Sequence, residues 1–309
     1  MPLPTSFRSL KLPAIAAPMF LTSGPDLVVE TCNSGVVGTF PALNQRSTQG
    51  FSDWLDDIKG RLAQNAAPYG VNLIVHRSNP RLEADLDCVV RHKVPLVISS
   101  LGAVPDVVKA VHSYGGLIFH DVINRRHAEK AAQAGVDGII AVAAGAGGHA
   151  GTISPFALLS EIRQVFDGTL VLAGAINTGA QIAAARLMGA DMGYLGTRYL
   201  ATREAMVDEG YKAMVLEARA ADIVYTPKIS GVNANFLRPS ILAAGLDPDD
   251  LPPHGGMNME SEAKAWSTVW SAGQGSGGIE DLPGAAELGA RLIAEYRAAM
   301  QAAASDPFI

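Results

Sequence analysis

Residues 170–200 read LVLAGAINTGAQIAAARLMGADMGYLGTRYL. Two apolar runs, LVLAG at 170–174 and MGYLG at 192–196, flank TGAQIAAARLMGA at 178–190, an amphipathic stretch with a glycine near its end. Strand, helix and strand joined by short loops form the unit from which parallel sheets are built. Neither strand alternates apolar with polar residues, as expected of parallel strands covered on both faces.

The unit recurs upstream. Further apolar runs are AIAAP at 14–18, VVGTF at 36–40, YGVNLI at 69–74, LVIS at 96–99, LIFH at 117–120 and GIIAV at 138–142, which makes eight strands in all. Helical patterns at 26–35, 105–115, 125–135 and 154–166 lie between them. Ser154 and Pro155 predict an N-cap followed by proline in the first helical position. Eight such units in about 200 residues predict an α/β fold, a closed (β/α)8 TIM barrel. An open doubly wound sheet is the alternative. The first loop, FLTSGP, holds no GxGxxG that would favour it.

The 309 residues suffice for one large domain or two ordinary ones. With 48% hydrophobic and 17% charged residues, the chain can bury a sizeable core and does not read as disordered. A net charge of −6 disfavours a nucleic-acid partner. No apolar run approaches the roughly 20 residues of a membrane span. The apolar run after Arg8 and Lys11 contains Pro13 and Pro18, which a signal peptide disfavours, so a cytoplasmic protein is expected. Cys32 and Cys88 read as buried free thiols with no metal-ligand spacing, and no metal is expected. The barrel is expected over 1–224, with 203–224 helical. Residues 225–258, rich in Pro, Gly and Asn, read as a long loop or lid with one short helix. Helix resumes over 259–272 and 283–304, so 225–309 forms a lid and C-terminal helices packing on the barrel.

In such barrels the active site lies at the C-terminal ends of the strands, and phosphate often binds after strands seven and eight. Those ends carry Pro18 and Met19, Asn72, His120 and Asp121, Gly145 to His149, Gly174 to Asn177, and Gly196 to Arg198. Gly174, Ala175, Gly196 and Thr197 would let backbone N–H groups approach an anion, near helix N-termini. Glycines also make tight turns, but two consecutive loops of this kind favour a phosphate. His149 stands in AVAAGAGGHAG at 141–151, where glycines permit a flat ligand to come close. An imidazole there suits a general base, although a lone histidine is as often structural. His120 could face a ligand or bond to backbone. Asn72, buried in an apolar strand, needs partners. His92, His112 and His127 read as helix-surface residues, and His76 and His254 as loop residues.

Taken together, APMF at 17–20, GVNL at 70–73, AGAGGHAG at 144–151, LAGAINTGAQIAAARLMGAD at 172–191, LGTRYLATRE at 195–204 and WSAGQG at 270–275 resemble the nitronate monooxygenase family, in older usage the 2-nitropropane dioxygenases. The resemblance covers nearly the whole chain in motif order. It implies an FMN-dependent barrel with the flavin ring against Ala17, Pro18 and Met19, and with Asn72 and His120 at polar positions of the ring or ribityl chain. It places the phosphate on Gly174, Ala175, Gly196 and Thr197, leaves room for ring and substrate beside Gly147 and Gly148, and adds Gln274 from WSAGQG. His149 becomes the catalytic base. The implied reaction oxidises an alkyl nitronate or nitroalkane with O2 to a carbonyl compound and nitrite. The partners are thus small molecules, and a homo-oligomer is compatible with the sequence.

Three departures stand out. Ala16 and Ala17 occupy positions where the family often has Gln-Gly, His120 one where Lys is common, and GAI at 174–176 replaces GGI. NAD(P)H-dependent flavin reductases of the enoyl-acyl-carrier-protein or quinone type resemble the chain in the same motifs and form the first alternative. A flavin- or phosphate-binding barrel without turnover is the second, and the presence of His149 counts against it.

Overall fold

Eight parallel strands close into a barrel in the computed structural model, which describes residues 3–76, 78–102, 105–253 and 265–308. They are β1 (Ala14–Ala16), β2 (Val37–Pro41), β3 (Gly70–Ile74), β4 (Leu96–Ser100), β5 (Leu117–Val122), β6 (Gly138–Val142), β8 (Thr169–Ala173) and β9 (Met192–Leu195). β1 pairs with β9 and closes the ring. A two-residue strand, β7 (Gly148–His149), lies outside it. All eight strands of the sequence reading are present, with small differences at their ends.

Helices cover the barrel where caps and periodicity place them. α1 (Pro25–Ser34) follows β1 and ends on Gly35 at φ 99°, a left-handed conformation that favours glycine. α2 (Thr48–Arg61), α3 (Leu82–His92), α4 (Pro105–His112) and α5 (Arg125–Ala134) follow the next four strands. α6 (Pro155–Arg163) starts as expected: the Ser154 side chain accepts from Ala157 N–H, and Pro155 stands first in the helix. α7 (Gly179–Leu187) begins with a capping box in which Thr178 and Gln181 bond each other's backbone N–H.

The eighth place in the shell is filled from the end of the chain. After β9 comes only a short helix, α8 (Thr197–Leu200). The chain then leaves the barrel through α9 (Glu209–Glu217), β10 (Ile223–Thr226), β11 (Ala234–Leu237) and α10 (Arg238–Ala243). It returns as the long α11 (Ala285–Ala304), which packs between α7 and α1. Leu288, Leu292 and Ile293 of α11 join the core cluster that holds Leu27 and Val28 of α1 and Ile182 of α7. The approach to α7 is so close that a methyl group on Gly179 would overlap Leu292 O and Tyr296 N.

Two expectations are corrected here. Of 203–224, only α9 is α-helical, and Ile223 and Val224 belong to β10. In the expected lid over 225–258 the one short helix is present as α10, but part of the expected loop is strand: β10 and β11 form an antiparallel hairpin, and β11 pairs in turn with β7. The Pro and Gly residues of TPKISGVN make the turn of that hairpin, while the flanking IVYT and ANFL are strand-forming. Residues 254–264 of the lid and following helix lie outside the described residues. No helix among the described residues is long and apolar enough to cross a membrane. Cys32 and Cys88 are buried and unbridged.

The core has two layers. Ile15, Val37, Ile98, Phe119, Ile140, Val171 and Met192 fill the barrel lumen, and Phe7 plugs its lower end, edge-on to Phe119 at 5.9 Å. Ala14, Phe40, Val71, Val97, Ile118, Ile139 and Leu170 pack outward against the helices. Burial of each large side chain contributes about 1.5–3 kcal/mol. This alternation decides what faces the mouth: Asn72, Ser100, Asp121 and Tyr194 continue the lumen-facing rows of β3, β4, β5 and β9.

Candidate active site

A cavity of about 1450 Å³ opens at the C-terminal ends of the strands. It exceeds the ~300–1,000 Å³ of an ordinary ligand site, so it has room for a cofactor and a substrate together. Ala17, Pro18 and Met19 line it from β1, Asn72 from β3 and His120 from β5. Gly147, Gly148 and His149 line it beyond β6, and Gly174, Ala175, Gly196 and Thr197 after β8 and β9. Gln274 does not line the cavity among the described residues, although its neighbours Gly273 and Gly275 do. Its backbone N–H instead bonds Gly145 O at 2.9 Å.

The two loops after β8 and β9 offer backbone donors. Gly174 lies at φ 141°, and a methyl there would meet Ala144 O at 2.9 Å. Ala175 lies at φ 54°, a left-handed position unusual for a residue with a side chain. The N–H groups of Gly174, Ala175, Ile176 and Gly196 make no hydrogen bond to another described residue. The start of α7 is different. Thr178 Oγ1 already accepts from Gln181 N–H, Gln181 Oε1 from Asn177 N–H, and Glu295 Oε2 from Gly179 N–H. The free donors therefore belong to the loops rather than to the α7 N-terminus. Arg198 is spent structurally: its buried guanidinium donates to Asp281 O and Oδ1.

The glycines before His149 serve a contact that their local sequence does not announce. A methyl on Gly147 would meet Gly273 N at 2.9 Å and Ala272 C at 3.1 Å. Here the backbone that comes close is the chain's own 272–273 segment. Gly148 N–H donates to Ser271 Oγ, and Thr197 Oγ1 accepts from Gly273 N–H. His149 itself is set by β7, where it pairs with Ala234 of β11. Its ring stands edge-on to Trp266 at 5.5 Å, and Trp266 stacks on Phe236 at 5.0 Å. The cap sheet thus holds the imidazole at the cavity wall.

The floor carries a polar arc across three neighbouring strands. Asn72 Nδ2 donates to Ile98 O at 3.1 Å and to Ser100 Oγ at 2.7 Å. Ser100 Oγ donates to Asp121 Oδ2. Burial pushes the Asp121 carboxyl up to about 6, against the bond from Ser100 and the nearby His149, which lower it. His120, although it touches the cavity, shares the outward-facing row of Ile118 and Val122, and its Nδ1 lies 2.9 Å from Ser99 Oγ. Burial lowers its pKa to about 4, so it is neutral at pH 7 and brings no charge to the cavity. The lumen position at the end of β5 belongs to Asp121.

One histidine departs from the surface reading: His92 is largely covered, with Nε2 2.8 Å from Ser52 Oγ. His127 is exposed on α5 as read, and it also lines the cavity. His112 is at the surface beside Asp137, His76 pairs with Ser78, and His254 lies outside the described residues.

A model of the nitronate monooxygenase family matches residues 40–295. The chain belongs to the nitronate monooxygenase family. It is therefore an oxidoreductase, and membership implies a flavin. A nitronate monooxygenase of Paraburkholderia phytofirmans is 27% identical, over 94% of this chain and 93% of that protein. A nitroalkane oxidase structure from Streptomyces ansochromogenes is 25% identical with a TM-score of 0.84, covering 94% of this chain and 97% of that one. FabK from Thermotoga maritima shares the fold at a TM-score of 0.81 and 20% identity, covering 97% of each chain. The family's flavin passes a test on this chain's own atoms: unbonded loop N–H groups stand on one side of the mouth and a polar arc on the other, around a cavity of sufficient volume.

Proposed function

We propose that the cavity binds FMN and that the protein oxidises alkyl nitronates, and nitroalkanes through them, with O2 to carbonyl compounds and nitrite. The observation that carries this reading is the meeting of His149 with two loops of unbonded N–H groups in one cavity of a nitronate monooxygenase family chain. Gly174, Ala175, Gly196 and Thr197 would hold the phosphate, and Ala17, Pro18, Met19 and Asn72 the ring. Bound FMN supplies the redox chemistry, taking electrons from the substrate carbon and delivering them to O2.

The chain's part is placement and proton transfer. His149, fixed by β7 and braced by Trp266, takes the α-proton of a neutral nitroalkane, or orients a nitronate that arrives already deprotonated. Neutral His120 adds no cation beside the cofactor. The cap sheet, through Gly148 and His149, and residues 270–273 line one wall of the cavity. The test is His149→Asn. It is expected to keep FMN and to lose about 100-fold or more of turnover on neutral nitroalkanes, with a smaller loss on preformed nitronate. Unchanged turnover on the neutral form would remove the base role.

A further inference from the structure

The mouth of the cavity has two unlike sides. From β3 to β5 it is polar, with Asn79, Ser100, His127 and Lys130 at the wall. Across the ring, beside β1 and β9, it is apolar: Leu21, Met206, Val207, Tyr211 and Trp270 line it. Val207, Tyr211 and Trp270 pack with Met19 against one core cluster, and Tyr211 stacks on Trp270 at 4.8 Å. Asp208, between them in sequence, caps α9 by accepting from Tyr211 N–H at 2.9 Å. Leu21 and Met206 carry the apolar surface out to the rim, where they are 40% and 45% exposed. Met206 N–H donates to Thr22 O at 2.8 Å and ties the two segments together. Single apolar residues on a surface are ordinary, but two on the rim of a ligand cavity, continuous with a packed cluster, mark a contact surface.

Leu21 is held there against its own backbone preference. Its φ is 58°, in the left-handed region that a bulky side chain disfavours. Asn44 enforces the turn: its Oδ1 accepts from Leu21 N–H at 2.9 Å, and its Nδ2 donates to Met19 O and Ser23 O. Strain kept at a cavity mouth points to a use for the side chain that it presents. We propose that this wall is an alkyl subsite, which receives a hydrocarbon chain attached to the reacting carbon of the substrate and so selects longer linear substrates over short ones. The nitronate head of that substrate rests on the function proposed above, whereas the wall recognises the chain by apolar surface alone. By the same reading the flavin ring rests on Ala17, Pro18 and Met19, which leaves Leu21 and Met206 to the substrate. Each methylene laid on this side leaves water for an apolar surface, and the polar side offers no such gain.

The experiment uses linear carboxylates from propanoate to octanoate, whose planar head imitates a nitronate and which donate no electrons. Calorimetry gives their Kd for the wild type and for the double variant Leu21→Asn, Met206→Gln. Asparagine tolerates the left-handed turn, and glutamine keeps the length of methionine. In the wild type Kd is expected to fall about two- to fourfold per added methylene. In the double variant that slope flattens, so the two proteins diverge as the chain lengthens, while FMN affinity holds. A wild-type Kd independent of chain length, or a slope that the double variant keeps, would overturn the proposal. A double variant that loses FMN would overturn it too, by giving the rim to the cofactor. Nitrite release from the matching nitronates is read in parallel. The expected slope without nitrite from any of them would refute the nitronate reading and leave the alkyl subsite standing, which separates the two failures.

Discussion

At the scale of single residues, Asp121 and His120 show what strand patterns hide. Both faces of these parallel strands are apolar, so LIFHDV does not disclose which of two adjacent polar residues turns inward. Only the sorting of Phe119 into the lumen and Ile118 into the outer layer settles it. The inward place has a thermodynamic consequence. The folded carboxyl titrates near 6 against an ordinary value of 3.8, so the folded state binds the proton more tightly than the unfolded one. Stability linked to this group is highest below pH 4 and declines as pH rises towards 6 and above. Asp121→Asn should therefore stabilise ligand-free protein at pH 7.5 by about 2–3 kcal/mol, with the gain fading towards pH 4. Urea titrations at the two pH values measure this, and a variant equally destabilised at both would contradict it.

At the scale of elements, the loops after β8 and β9 were legible because their small residues sit where a barrel keeps its anion site. The glycines at 145–148 were legible as a close approach but not as to what. Their neighbour, the 272–273 segment, comes from more than a hundred residues downstream, beyond what local sequence reports. The β10–β11 hairpin was hidden because Pro and Gly at its turn dominated the composition of the whole stretch. The phosphate role proposed for the second loop is tested cleanly at Gly196. Its φ is −99°, and a Cβ would meet only Ala17 Cβ at 3.8 Å and Met19 Sδ at 3.9 Å. Gly196→Asp should thus fold with near wild-type stability yet lose at least 100-fold in FMN affinity, because a carboxylate would face the phosphate. Equilibrium dialysis against FMN checks this, and full flavin occupancy would move the cradle elsewhere.

At the scale of the molecule, the barrel is closed twice. β1 joins β9 by backbone pairing, and α11 joins α7 to α1 by packing. The eight strands could be counted along the chain. The eighth helix could not be assigned, because the excursion through the cap separates it from its strand. Closure by α11 rests on Gly179, where no side chain fits. Gly179→Ala should cost about 1–3 kcal/mol by pushing α11 off the shell, with cavity residues unaltered. Thermal melts measure the loss, and an unchanged melting temperature would show that α11 yields freely.

On the proposed function, this barrel takes electrons from a nitronate rather than from a nicotinamide. The most direct measurement is the visible flavin spectrum of the FMN-loaded protein, mixed anaerobically with propionate 3-nitronate and separately with NADH and NADPH, then opened to air and assayed for nitrite. The account predicts a rapid change of the flavin bands with the nitronate, nitrite once air is admitted, and slow or no change with either nicotinamide. Rapid bleaching by NADH or NADPH with no response to nitronate would contradict it and assign the chain to the reductases.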